Sequence, residues 1–336
     1  MVSRYINILL GLFLTAGVGC FPAEDPLLPL EPKSQTIEAH KAYDGLTYYS
    51  LRDQKIVAAR SIFDWDMAFS CKDDEYTVLL NSAKGMAAYN TNSKEFDRYY
   101  PTSNYPWSFD GLAGNQSCIG AWGDFNYDNP QSYGNVYIIN EGVDLNGFEN
   151  GLVKMRIDDF SDNAYHIKIG NMNNTYQEEF TVPKNDTFNF VYLSFRDRKV
   201  KYIEPPKYDW DLLITSYAQP LKPQQISDQF IHVYQNYWIT EGVLINPNNR
   251  LVTIDSLMPF DSIGFAEANR RNYAQKLDAI GSSWYKWNQL SQRFEINPRL
   301  TYLIRDEENF YYALKFDRFR KIQSAQYDVT FVYKNL

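Results

Sequence analysis

Few side chains in this sequence are equipped for chemistry. The 336 residues include three histidines, His40, His166 and His232. His166 falls mid-strand in Ala164–Ile169, and His232 falls among aromatics in Phe230-Ile231-His232-Val233-Tyr234. Imidazole can ligate haem iron, so both are candidate haem ligands. The alternative for each is the ordinary hydrogen-bonded histidine of a strand. His40 lies beside a proline-rich stretch. The sequence has no His-Glu-x-x-His pair, no Gly-x-Ser-x-Gly elbow, no phosphate loop and no Gly-x-Gly-x-x-Gly. A Ser or Cys nucleophile would lack its usual histidine base. The reading is that there are no catalytic residues and that the protein is not an enzyme. Apart from a possible haem iron, no metal site is expected.

Paired carboxylates are the other candidates. Asp64-Trp65-Asp66 and Asp209-Trp210-Asp211 each place two acids at i and i+2, where one strand face could hold a cation or share a proton. Both copies sit in the same context, which favours an architectural role. Tyr48–Phe69 reads YYSLRDQKIVAARSIFDWDMAF, and Tyr192–Ile214 reads YLSFRDRKVKYIEPPKYDWDLLI. A repeat at domain-sized spacing indicates tandem duplication rather than a solenoid. Strict alternation would put Trp65, Met67 and Phe69 inward with Asp64 and Asp66 outward. The second copy would match it, with Trp210, Leu212 and Ile214 inward and Asp209 and Asp211 outward.

The elements that must position these residues are mostly strands. Aromatic residues make up 16% of the chain, and they suit half-buried pleated surfaces. Tyr48–Leu51 and Lys55–Val57 flank a turn at Asp53-Gln54, a hairpin pattern. Asp158–Asn163 is a polar turn between strands Leu152–Ile157 and Ala164–Ile169. Asp306–Asn309 repeats it between Thr301–Arg305 and Phe310–Phe316. One helix is expected over Gly264–Ile280. Asn90–Gly134 is too long for a simple turn and is a plausible binding loop. Trp107, Trp122, Trp238, Trp284 and Trp287 lie outside the repeated strand. They are either a stacking platform for a sugar or haem, or core filling. The expected architecture is all-β with minor helix: two tandem β-sandwich domains, residues 43–192 and 193–336.

The net charge of −8, without a long run of one sign, argues against nucleic-acid binding. At the N-terminus, Arg4 precedes an apolar Ile8–Val18 stretch too short to span a bilayer. Ala16-Gly17-Val18-Gly19-Cys20 resembles a bacterial lipobox, although Gly17 stands where that motif prefers Leu. Residues 1–19 are read as a signal peptide, and 20–42, with Pro22, Pro26, Pro29 and Pro32, as a lipidated tether. The alternative is an ordinary secretory signal. Acylation of Cys20 would be the membrane anchor. Cys71 and Cys118 are left either as a disulfide or as two buried thiols.

Tyr48–Val57, Asp64–Phe69 and Asn81-Ser82-Ala83-Lys84-Gly85, with Tyr302–Arg305 and Thr330–Tyr333 near the C-terminus, resemble the HmuY family of haem-binding surface lipoproteins of Bacteroidetes. That resemblance implies a β-sandwich-like domain displayed on the outer membrane. It also implies haem held between two axial side chains and passed to an outer-membrane transporter. A family histidine that follows a Trp-bearing strand has no counterpart here, because Asn288-Gln289 follow Trp284–Trp287. Of the two divergent loops, only Gln219–Gln235 of the second copy offers an imidazole beside aromatic faces, so any haem site is expected there, using His232 and a second ligand not assigned. The alternative is a non-haem surface lipoprotein that binds a glycan or a protein.

Overall fold

The computed structural model describes residues 33–38, 45–111, 117–126, 130–220, 233–234, 237–323 and 326–336. Its strands begin with β1 (Lys33–Glu38), β2 (Gly45–Ser50), β3 (Lys55–Ser61), β4 (Met67–Ser70), β5 (Val78–Leu80) and β6 (Ala87–Asn90). There follow β7 (Gly123–Asp124), β8 (Gln131–Ser132), β9 (Val136–Asn140), β10 (Leu152–Ser161), β11 (Ala164–Asn171), β12 (Gln177–Pro183), β13 (Phe190–Ser194) and β14 (Lys199–Lys201). The remainder are β15 (Leu212–Pro220), β16 (Val233–Tyr234), β17 (Tyr237–Ile245), β18 (Leu251–Asp255), β19 (Tyr285–Asn288), β20 (Arg293–Ile296), β21 (Thr301–Arg305), β22 (Tyr311–Gln323) and β23 (Gln326–Asn335).

Four antiparallel sheets form the body, ordered β12-β11-β10-β9-β6, β14-β13-β4-β5, β16-β17-β15-β2-β3 and β1-β23-β22-β21-β18. The first two enclose one core, which includes Met67, Phe69, Met155, Ile157, Tyr165 and Leu193. The last two enclose another, which includes Tyr49, Leu51, Leu212, Tyr302, Leu314 and Phe331. A third cluster joins the backs of the two inner sheets: Leu46, Tyr48, Ala68, Tyr192, Ile203 and Trp210. The all-β expectation holds, as two sandwiches stacked through a shared seam.

Each repeated hairpin is built into a sheet with the strand that follows the other hairpin. The β2–β3 hairpin pairs with β15, placing Tyr49 opposite Leu212. The β13–β14 hairpin pairs with β4, placing Leu193 opposite Met67. The position 192/193 lies within β13.

Two expectations need correcting. Met67 and Phe69 point into the first core, but Trp65 packs against the seam cluster and Asp66 is buried. Likewise Trp210 lies in the seam, while Leu212 and Ile214 enter the second core and Asp211 is buried. Both strands belong to inner layers covered on both faces, which buries Asp66 and Asp211 beside them, while Asp64 and Asp209 keep the outward placement expected of them. The helix is also much shorter than expected, α1 running only from Phe265 to Asn269. Beyond it, Ala274 exchanges both backbone hydrogen bonds with Val252, and Leu277 accepts one from Ile245. The sheet thus takes the groups that a longer helix would need.

The Asp162-Asn163 turn behaves as its sequence indicates. Both residues have positive φ, 50° and 57°, the left-handed pair of a tight hairpin turn. The strand before it runs to Ser161, with a bulge between Ile157 and Asp159.

Candidate functional site

His166 stands on β11, opposite Thr181 of β12 and Asp159 of β10. Its Nδ1 lies 3.3 Å from the Thr181 hydroxyl. Its Nε2 lies 3.8 Å from Asp159 Oδ1, and the side chain is one-third exposed. A second partner on the non-ligating nitrogen is the usual way a metal-binding imidazole is oriented. Lys168, two residues on along β11, lies opposite Arg156. Both cations sit over the Phe96 ring, at 5.1 and 5.6 Å, with Lys154 at 4.8 Å. Lys154 is fully buried, donates to the Phe96 carbonyl and to Asn174, and its pKa is lowered by that burial.

Phe96 comes from the Asn90–Gly134 segment. Part of that segment lies on the outer face of the sheet, where Phe96 and Tyr100 pack with Val136 and Ile138. The second sandwich has a counterpart, since Lys315 and Lys334 both lie 5.1 Å from the Phe260 ring. His232, His40 and Cys20 lie outside the described residues, so the structure does not bring His232 and His166 together or hold them apart. Among the described residues no group of three or more His, Cys, Asp or Glu could hold a metal ion.

Three of the five tryptophans outside the repeat, Trp122, Trp238 and Trp284, are buried as core filling. The indole N–H of Trp122 donates to the Tyr76 carbonyl at 2.8 Å. Trp284 donates to Gly281 and stacks on Phe316 at 4.0 Å. Cys71 and Cys118 are both free thiols, and burial raises the pKa of each.

The Asp-Trp-Asp acids serve as matched anchors. Asp66 Oδ2 accepts the N–H of Phe195 at 2.6 Å, and Asp211 Oδ2 accepts that of Leu51 at 2.7 Å. Asp66 donates its own N–H to the Leu193 carbonyl, and Asp211 to that of Tyr49. Each acid therefore pins the hairpin of the other copy. Each also meets a buried cation: Lys84 for Asp66, and Arg250, at 2.6 Å, for Asp211. Asn81 and Asn246 complete the set. Asn81 donates to Ile62 and Trp65, and Asn246 to Lys207 and Trp210. The sequence reading found the acids and missed these cations. Asn81 and Lys84 are three positions apart, but Asn246 and Arg250 are four, so the second copy is displaced by one residue.

Between the inner sheets lies a cavity of about 120 Å³, bordered by Trp65, Trp210, Tyr48, Tyr192 and Glu204 among others. Tyr48 meets Trp210 edge-on at 5.0 Å, and Trp65 meets Tyr192 at 5.1 Å. Glu204 accepts from the Phe190 N–H at 2.7 Å and from Asn189 at 3.3 Å. Burial nevertheless raises its pKa to about 7. Asp110, also on the lining, is raised to about 6 for the same reason. The cavity is well below the roughly 300–1,000 Å³ of sites for drug-sized ligands, so it is not a haem pocket.

Stacked antiparallel sandwiches with aromatic cores and internal anchors define a rigid all-β scaffold of the kind that carries binding sites. The chain belongs to the HmuY family, whose model matches residues 42–333. The solved structure of apo PinO from Porphyromonas gingivitis is similar at 8% identity, over 91% of this chain and 98% of that one, with a TM-score of 0.28. No curated protein matches the chain. Among the described residues no helix is long and apolar enough to cross a membrane.

Proposed function

We propose that this protein captures haem at the cell surface, anchored in the outer membrane through acylated Cys20, and passes it to an outer-membrane transporter. Membership of the HmuY family carries this reading. The iron ligands are drawn from His232 and His166. The environment of His166 supports a ligand role, with one ring nitrogen near a hydroxyl and the side chain partly open. Lys168 and Arg156 alongside are cations suited to the propionates of a porphyrin. A fold by itself does not assign a function, so the test is direct.

Titrating the mature chain with haemin should produce a saturable Soret shift. His232→Ala should weaken binding at least tenfold, and His166→Ala should weaken it less. No Soret shift would move the protein to the non-haem reading, a lipoprotein that binds a glycan or a protein. Cys20→Ala should release the protein from the membrane fraction or leave its signal uncleaved. Unchanged membrane attachment would reject the lipid anchor.

A further inference from the structure

We propose that β1 is a detachable strap: docked, it holds the membrane leash of the chain short, and released, it lengthens the leash and uncovers a strand edge. β1 lies within residues 20–42, the stretch expected to be a tether, yet it is a strand of the second sandwich. It is the outermost strand of its sheet and pairs antiparallel with β23, from Lys33 opposite Tyr333 to Glu38 opposite Asp328. The Lys33 ammonium also donates to the Gln54 side chain, on the turn of the β2–β3 hairpin.

The two strands of this pair are held very differently. Lys33-Ser34-Gln35-Thr36-Ile37-Glu38 contains one apolar residue, Ile37. Burial of apolar surface, the main favourable force in folding, can therefore do little for β1. Main-chain hydrogen bonds remain, and their net contribution is small because water offers the same bonds to a free strand. Ordering the strand also costs conformational entropy. β23 is the reverse case. Its Val329, Phe331 and Tyr333 are buried in the second core, and β22 pairs with it from Gln326 to Asn335. β1 can thus leave while β23 stays. The vacated edge, Asp328–Tyr333, presents unpaired backbone groups to an extended strand, and β1 is the strand that this chain supplies for it.

Release changes the reach of the molecule. With β1 docked, the chain from Cys20 to Lys33 spans at most about 45 Å. With β1 released, the chain from Cys20 to Gly45 spans at most about 85 Å. The leash rests on the reading of Cys20 as the acylated anchor; the strap does not.

The experiment is hydrogen exchange of the mature chain at pH 7. Amides of β1 should exchange at least a hundredfold faster than those of β21, which lies between β18 and β22. Thr36 lies opposite Thr330, and directly opposed residues bring their Cβ atoms to about 4.5–5.5 Å. Thr36→Cys with Thr330→Cys should therefore form a disulfide in the folded protein and slow exchange of β1 at least tenfold until reduced. Thr36→Pro with Ile37→Pro removes a ladder donor whichever of the two faces β23. It should release β1 and leave unfolding of the rest cooperative. On phosphatidylcholine vesicles with an acceptor dye on the headgroups, the acylated chain carries a donor dye at Leu290→Cys. Energy transfer should fall at least twofold when the two prolines are added. Exchange of β1 no faster than of β21 would overturn the strap, as would loss of cooperative unfolding in the proline variant or failure of the disulfide to form. Equal transfer with and without the prolines would overturn the leash. A chain that does not attach to vesicles would reject the lipid anchor and the leash with it, and the exchange data decide the strap on their own.

Discussion

Glu204 shows how far one side chain departs from its behaviour in water. It receives two N–H donors, which favour the carboxylate, yet burial dominates and lifts its pKa from 4.5 to about 7. Asp110 and Glu141 are lifted for the same first cause, to about 6 and about 7. In these groups the folded state holds the proton more tightly than the unfolded chain. Their contribution is therefore complete below the ordinary carboxyl values and declines as pH rises through 4 to 7. Denaturant unfolding should show greater stability at pH 5 than at pH 8. Glu204→Gln should reduce that difference by about 2 kcal/mol. An unchanged pH profile in the variant would show that Glu204 titrates normally. Nothing in the local sequence Tyr202-Ile203-Glu204-Pro205 marks this acid, because the seam that buries it is formed by the other half of the chain.

At the scale of elements, the two hairpins and the two Asp-Trp-Asp strands act as one reciprocal joint. The recurrence of the motif and the architectural role of its acids were legible, because both occurrences keep the same residues at nearly the same spacing. Their orientation was not. Alternation predicts which residues share a face, but not that both faces are covered. The charged pair makes the joint sensitive. Asp66→Ala leaves Lys84 buried without its carboxylate, and should cost about 3–5 kcal/mol. Adding Lys84→Met should recover part of that loss, since a paired charge replaced by apolar groups is far less harmful than one left alone. A double variant no more stable than the single one would count against the ion pair as the cause. Asp211→Ala should cost less, because Arg250 also meets Glu307.

At the scale of the whole molecule, the exchange of hairpins decides what can fold alone. Residues 193–336 lack β2 and β3, and so lack Tyr49 and Leu51, both fully buried in the second core. That fragment should not unfold cooperatively in urea. A chain joining residues 45–61 to 208–336 should. Cooperative unfolding of 193–336 by itself would show that the second half is autonomous.

What the sequence determined by itself was local or repetitive: strand propensity, turn chemistry at Asp162-Asn163, the recurrence of the hairpin and Asp-Trp-Asp motif, and the family. These follow from side-chain shape and from spacing along the chain. Tertiary structure alone decided which hairpin joins which sheet, that Trp65 and Trp210 face the seam, and that α1 stops at Asn269. Each of these rests on contacts between residues far apart in the chain. Tyr49 pairs with Leu212, and Asp66 reaches Phe195. Whether such contacts form depends on burying aromatic surface from two distant segments at once, a term that no single stretch of the sequence contains.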